Sequence, residues 1–162
     1  MSIPLVIIDM QTGFMETGKN ALVGVKEEVK RAKRRQDPII LVEFEHWGPT
    51  HQDIMKLLDG YPHVTKCFKW TDDGANELLD HADAHMIDLS KVRFCGVNRC
   101  YCVGSTIRSF VRKMENLSTP PEVQIAIDAT WCHDPGHGRH VLSYYGTFVR
   151  TPVNCCPDAY KE

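Results

Sequence analysis

The chain has 162 residues, of which 43% are hydrophobic, and its formal net charge is −2 at pH 7. This length and apolar content predict one globular domain over residues 1–162 with a buried core. So small a charge does not predict a nucleic-acid partner, and no apolar run reaches the ~20 residues of a membrane span. The first residues lack the basic segment of a signal peptide, so we expect a cytoplasmic protein.

Hydrophobic periodicity predicts strands that alternate with helices along the chain. The expected strands are residues 3–8, 39–44, 64–68, 92–97, 123–127 and 147–150. The expected helices are residues 18–35, 51–59, 75–81, 103–114 and 140–145. This alternation predicts a three-layer α/β/α domain with a Rossmann-like, mostly parallel sheet that is covered on both faces.

Seven cysteines are spread along the chain without the paired spacing of a structural zinc site. In a reducing compartment they are expected to be free thiols, most of them packed as small hydrophobic side chains. The seven are Cys67, Cys95, Cys100, Cys102, Cys132, Cys155 and Cys156.

Two predicted strands end close to a reactive side chain. Asp9 follows a run of four apolar residues, where a carboxylate is costly unless it is paired or used. It is either a cap for the next turn or a general base. Cys102 lies where the strand ending near Val97 gives way to a helix, and a helix N-terminus favours a thiolate. It is either a nucleophile or a packed side chain, and Cys100 competes for the same role.

These segments resemble the isochorismatase-like cysteine hydrolases, a superfamily that includes nicotinamidases and N-carbamoylsarcosine amidases. The resemblance covers nearly the whole chain, in order. Its motifs are Val6 to Gln11, the segment from Gly96 through Cys102 to Thr106, Asp128-Ala129, and a histidine at His137 or His140.

The resemblance implies a cysteine-dependent hydrolase that acts on a small amide or related C–N bond through a thioester. In this sequence Asp9 would be the base, Cys102 the nucleophile and Lys66 the cation of the triad, which requires no cofactor. Lys69 is a rival for this role, because Trp70-Thr71-Asp72 replaces the residues that usually follow the family's lysine.

Two further features follow from the resemblance. A non-proline cis peptide would fall between Val97 and Asn98, and the amides of Asn98 and Cys102 would hold the oxyanion. Members of this superfamily usually form homo-oligomers, and Trp131 or the pair Tyr144-Tyr145 could supply the interface here.

A divalent metal, such as zinc, is a separate expectation drawn from the nicotinamidases. His46 and His51 have the type and rough spacing of two ligands. Phe44 stands where the family has an aspartate, so only Glu43 or Glu45 could substitute for it. The alternative is a loop with two solvated or stacked histidines.

A second function belongs to another class. The chain could be a retired scaffold that binds a small molecule or senses redox state, with Cys100 and Cys102 as an oxidisable pair. The pKa of Cys102 and the convergence of the triad would distinguish the two, since we expect an activated nucleophile to be a thiolate near neutral pH.

Overall fold

Six parallel strands form one sheet in the order β3-β2-β1-β4-β5-β6. The computed structural model describes residues 1–132 and 142–151. The strands are β1 Leu5–Ile8, β2 Ile39–Phe44, β3 Val64–Lys69, β4 Lys91–Val97, β5 Glu122–Trp131 and β6 Thr147–Val149. The helices are α1 Met15–Gly18, α2 Leu22–Arg35, α3 Gln52–Leu58, α4 Ala75–Ala84 and α5 Gly104–Met114. The predicted three-layer α/β fold is confirmed.

The two faces of the sheet are packed by different helices. On one face, Val6 and Ile8 of β1 share a core with α4 and α5. On the other face, Leu5 and Ile7 of the same strand share a core with α2 and α3. Because both faces are buried, β1 has four consecutive apolar residues where a half-exposed strand would alternate with polar ones.

Element boundaries differ from the predicted ones in a few places. The segment before α2 forms a 3₁₀ turn at Thr12–Phe14 and the short helix α1, so the long helix begins later than residue 18. Strand β3 runs one residue further, to Lys69, and β5 continues past residue 127 to Trp131. Of the helix predicted at residues 140–145, residues 140 and 141 lie outside the described residues, Leu142 is helical and residues 143–145 form a turn.

The strand order reverses between β1 and β4, which are neighbours in the sheet although β2 and β3 lie between them in the chain. In open α/β sheets, ligands bind outside the carboxyl ends of the strands at such a switch point. Asp9 comes directly after β1 and Asn98 directly after β4, so both predicted site segments meet there. Within residues 1–132 and 142–151, no helix is both long and apolar enough to cross a membrane.

Candidate active site

Asp9 is held at the end of β1 by contacts of its neighbours with β2. Its backbone is left-handed, with φ 54°, and only 1% of the residue is exposed. The Asp9 amide donates to the carbonyl of Val42 at 3.0 Å. The side-chain amide of Gln11, two residues later, donates to the Phe44 carbonyl at 2.8 Å and accepts from the Phe44 N–H at 2.7 Å. The Asp-Met-Gln run therefore fixes where the carboxylate points.

The cation beside Asp9 is Lys69. Its Nζ lies 3.0 Å from Asp9 Oδ2, and both side chains are buried. The same ammonium donates to the carbonyl of Thr71 at 3.0 Å and lies 4.0 Å from the ring centroid of Phe44. A buried ammonium needs such partners, because burial of an unpaired charge is very costly.

Lys66, the lysine preferred in the sequence analysis, lies elsewhere. Its Nζ pairs with Glu43 Oε1 at 2.9 Å, and a third of its side chain is exposed. Side chains alternate between the two faces of a strand, so residues 66 and 69 of β3 point to opposite faces. The structure thus brings Lys69, and not Lys66, to Asp9, and the lysine assignment is corrected accordingly.

Cys102 completes the group. It lies on a single π-helical turn, Arg99–Val103, between β4 and α5, and is 5% exposed. Its thiol donates to Asp72 Oδ1 at 3.6 Å, and the Asp9 carboxylate is near enough to raise the pKa of the thiol. Asp9, Lys69 and Cys102 therefore converge at the switch point, which was the geometric condition for a hydrolase site.

The electrostatics of this group favour a neutral thiol. Burial raises the pKa of Cys102, the charge and hydrogen bond of Asp9 raise it further, and Lys69 opposes them. Burial likewise raises the pKa of Asp9, again against Lys69. The expected thiolate at a helix N-terminus is thus not what the structure supports, because burial and the adjacent carboxylate outweigh the helix dipole.

The turn before Cys102 has the predicted backbone. A cis peptide bond joins Val97 to Asn98, as the family resemblance implied. The Asn98 carbonyl accepts hydrogen bonds from the amides of Tyr101 at 3.0 Å and Val103 at 3.1 Å. Whether the Asn98 and Cys102 amides hold an oxyanion stays a prediction.

The turn is also tied to the end of β5. The Arg99 guanidinium donates to the hydroxyl of Thr130 at 2.9 Å and to its carbonyl at 3.0 Å. Cys100 and Cys132 form a disulfide, with Cα atoms 6.1 Å apart. The expectation of free thiols is therefore wrong for these two.

The oxidisable pair suggested in the sequence analysis is not formed either. Cys100 is joined to Cys132, while Cys102 is a free thiol that faces Asp9. Cys67 and Cys95 are also free and buried. Cys155 and Cys156 lie outside the described residues.

Two residues of the site were not singled out from the sequence. Asp72 is the second carboxylate next to the Cys102 thiol. Thr106, which is fully buried, accepts a hydrogen bond from the Gly74 amide at 3.0 Å and donates to the Asp72 carbonyl at 3.4 Å. Thr106 is four residues after Cys102, and this spacing places both side chains on one helix face.

Aromatic side chains lie beside the triad at the carboxyl edge of the sheet. Phe14 and Trp47 stack with ring centroids 4.5 Å apart, and Phe44 contacts both rings. His46 packs edge-on against Trp70 at 5.5 Å. Trp70 and Trp47 remain 64% and 45% exposed, so their rings are available to a ligand.

The donors expected for a divalent metal are committed to other contacts. Glu43 Oε1 accepts from the Thr50 amide and hydroxyl and pairs with Lys66. His51 caps α3 through Nδ1, which accepts from the Asp53 amide at 3.2 Å. Within residues 1–132 and 142–151, no three histidine, cysteine or carboxylate side chains form a metal-binding group. Glu43 and His51 thus make other contacts, His137 and His140 lie outside the described residues, and the metal stays an expectation.

Asp128, the third family motif, serves the fold in the described part of the chain. Its carboxylate accepts from Arg150 Nη1 at 2.7 Å and from the Thr151 amide at 3.2 Å. These contacts join the end of β5 to the segment after β6. The motif therefore marks a structural contact at this position.

Comparisons with known proteins support the fold. Neither the protein-family models nor the curated proteins include a match to this chain. Among solved structures, a nicotinamidase from Staphylococcus aureus superposes with a TM-score of 0.75 at 16% identity, covering 92% of this chain and 100% of that one. N-carbamoylsarcosine amidase from Thermoplasma acidophilum gives a TM-score of 0.69 at 17% identity, covering 96% and 100%. The MAR1 ribonuclease from Caenorhabditis elegans gives 0.74 at 15%, covering 93% and 77%.

These similarities are at the level of the fold, since the sequence identities are low. One fold hosts several activities, so the site must decide what this chain does. Nicotinamidases and N-carbamoylsarcosine amidases are two groups of the superfamily that the sequence motifs resemble. The chain has the isochorismatase-like fold.

Proposed function

We propose that the chain is a cysteine-dependent hydrolase that cleaves a small amide or a related C–N bond. The convergence of Asp9, Lys69 and Cys102 at the topological switch point carries this proposal. A base, a cation and a nucleophile within contact distance are the parts that covalent acyl transfer needs. The amide-cleaving activities named for two structures with this fold support it.

In the first half of the reaction, the Asp9 carboxylate accepts the Cys102 thiol proton as the sulfur attacks the carbonyl carbon. The amides of Asn98 and Cys102 hold the resulting oxyanion. When the C–N bond breaks, Asp9 gives that proton to the departing nitrogen, which leaves as ammonia or an amine. A thioester on Cys102 and an unprotonated Asp9 remain.

In the second half, Asp9 accepts a proton from water as the water oxygen attacks the thioester. The C–S bond breaks, the proton returns to sulfur and the acid product leaves. Lys69 stabilises Asp9 whenever that carboxylate is charged. The raised pKa of the thiol differs from the thiolate that the sequence analysis expected of a nucleophile, so in this cycle Asp9 accepts the proton during attack.

The exposed aromatic side chains indicate the kind of substrate. The half-buried Phe44 ring lies against Lys69, and the exposed Trp47 ring packs against Phe44, so a flat apolar surface lies near the triad. A planar group attached to a primary carboxamide would stack on such a surface. We therefore place small aromatic or heteroaromatic carboxamides first in a substrate screen.

The test is trapping of the acyl-enzyme. Small carboxamides and activated esters are added, the reaction is quenched in acid, and the Cys102 peptide is analysed by mass. We expect an adduct that hydroxylamine removes, with ammonia release from the amides. Both should disappear in Cys102→Ala and persist in Cys67→Ala, which removes another free thiol of the same core. Ammonia release that survives in Cys102→Ala would refute the proposal.

We also propose that this triad acts without a divalent metal. The contacts of Glu43 with Lys66 and of His51 with α3 support this proposal, since they occupy the expected donors. Hydrolysis should survive dialysis against a chelator, and added zinc should not increase it. A loss of activity on dialysis that zinc restores would contradict this.

A further inference from the structure

Asp72 is a second carboxylate at the nucleophile, and its position is fixed by the backbone around it. Lys69 donates to the Thr71 carbonyl, and Thr106 donates to the Asp72 carbonyl at 3.4 Å. Asp73 then accepts from the Ala75 amide at 2.9 Å, at the start of α4. With both flanks held, Asp72 Oδ1 lies 3.6 Å from Cys102 Sγ.

The charges around Cys102 do not cancel. Asp9 and Lys69 are buried and paired with each other. Lys66 is paired with Glu43 on the opposite face of the sheet. Asp72 is exposed and forms no ion pair with any residue in the described ranges. The charge that a ligand meets at the sulfur is therefore the negative charge of Asp72.

Two arginines share a cleft with Asp72 and carry the opposite charge. Arg108 and Arg112 of α5 line a cleft of about 440 Å³ that also contains Asp72 and Asp73. Both arginines are exposed, so solvent screens their charges. Among residues 1–132 and 142–151, Asp72 is the exposed formal charge that contacts the sulfur.

Two exposed aromatic residues are close to Asp72 or Cys102 in the sequence. Trp70 is two residues before Asp72, and Tyr101, which is 53% exposed, directly precedes Cys102. An aromatic face attracts a cation, above all beside a carboxylate. The rings and the carboxylate together favour a positively charged or neutral ligand over an anionic one.

We propose that Asp72 determines the charge of the substrate, so that the site accepts small amides that are neutral or cationic and rejects those with a carboxylate near the scissile bond. This inference rests on the proposed hydrolase function and specifies its substrate class. A unit charge placed a few ångströms from Asp72 should change the rate of reaction at the sulfur about tenfold at low salt.

The test uses thiol reagents and needs no turnover. Three methanethiosulfonates, which carry a trimethylammonium group, no charge or a sulfonate, react with the folded protein at low ionic strength. The rate at Cys102 is read by peptide mass, and each reagent is also calibrated on an unfolded Cys102 peptide. We divide the rate of the cationic reagent by the rate of the anionic reagent, and compare this ratio in the folded protein with the same ratio in the peptide. The comparison separates selection by charge from the reactivity of the thiol itself.

In the wild type we expect this ratio to exceed that of the peptide by about tenfold or more. Asp72→Asn should lower it about tenfold, whereas Asp73→Asn, an equal charge change that keeps the acceptor for Ala75, should change it less than twofold. Added salt should reduce the wild-type ratio towards that of the peptide. A ratio in Asp72→Asn within twofold of the wild type would overturn the inference, as would a wild-type ratio equal to the peptide's. Trapping of the acyl-enzyme is a separate readout, so failure of charge selection and failure of the hydrolase proposal are distinguishable.

Discussion

At the scale of single residues, one proton is shared by two acids that are both difficult to ionise. Burial raises the pKa values of Asp9 and Cys102, and Lys69 is the group that lowers both. Because each group changes the pKa of the other, we expect the two to titrate together. The position of the proton, on sulfur at rest and on Asp9 during attack, is what the proposed chemistry uses.

The two lysines of β3 provide a matched pair for this idea. Lys69→Met removes the ammonium 3.0 Å from Asp9 and should reduce the turnover number by about 100-fold or more. Lys66→Met makes the same chemical change on the opposite face and should cost less than about threefold. Steady-state kinetics on the best amide of the screen check this. Equal losses in the two variants would contradict the assignment of Lys69.

Asp9 and Cys102 could be identified from sequence because each follows an apolar strand, and parallel strands bring their carboxyl ends to one edge. The lysine could not be chosen in the same way. Both Lys66 and Lys69 lie on β3, and their side chains point to opposite faces of the sheet. Only the structure shows which of the two faces contains Cys102. Asp72 was not found because it belongs to an irregular turn, whose conformation depends on contacts with Thr106 that are distant in sequence.

At the scale of secondary-structure elements, the site depends on close approach of β1 and β4. Gly96 pairs with Ile8 in the sheet and has a φ of 115°, outside the range that other residues adopt easily. A Cβ at this position would overlap the Ile8 carbonyl oxygen. Because β1 leads into Asp9 and β4 into the Cys102 turn, a glycine at position 96 keeps the two segments together.

Gly96→Ala is therefore expected to lower the free energy of unfolding by about 3 kcal/mol or more, from backbone strain and overlap combined. Gly60→Ala is the control, since Gly60 has a φ of 70° but no atoms near its Cβ position. It should cost about 1 kcal/mol, from the left-handed conformation alone. Urea unfolding measures both changes. Equal losses would show that overlap with Ile8 is unimportant.

Strand β5 is longer than the sequence analysis predicted. The apolar pattern predicted an end at residue 127, but the strand continues to Trp131 after a register shift in its pairing with β4. A shift of register changes which residues face the core, so the periodic pattern is lost at that point although pairing continues. The tie between Cys100 and Cys132 depends on this extension and could not be expected from spacing alone.

At the scale of the whole molecule, burying the charged side chains of Asp9 and Lys69 costs free energy that the rest of the fold has to offset. Asp9 and Lys69 are almost fully buried in a core made of apolar side chains. A buried ion pair stabilises little, whereas removal of one partner is costly. The site is thus a place where function and stability compete.

Lys69→Met should lower the free energy of unfolding by about 3 kcal/mol at pH 8, because it leaves the Asp9 carboxylate unpaired. The Asp9→Asn, Lys69→Met double variant should recover most of that loss. The loss should be smaller at pH 5: the variant raises the folded-state pKa of Asp9 further, so stability falls as pH rises from the unfolded-state pKa to the folded-state pKa. Denaturant unfolding at both pH values tests this. A pH-independent loss, or no recovery in the double variant, would contradict the buried ion pair.

The measurement that tests the central claim most directly is the pKa of the Cys102 thiol, taken from its alkylation rate against pH. The account predicts a pKa above the usual cysteine range in the wild type, because burial and Asp9 raise it. It predicts a lower pKa in Asp9→Asn, where the Asp9 charge no longer opposes Lys69, and a higher one in Lys69→Met, where no ammonium offsets Asp9 and Asp72. An ordinary thiol pKa that neither substitution changes would show that the three side chains do not form one chemical unit.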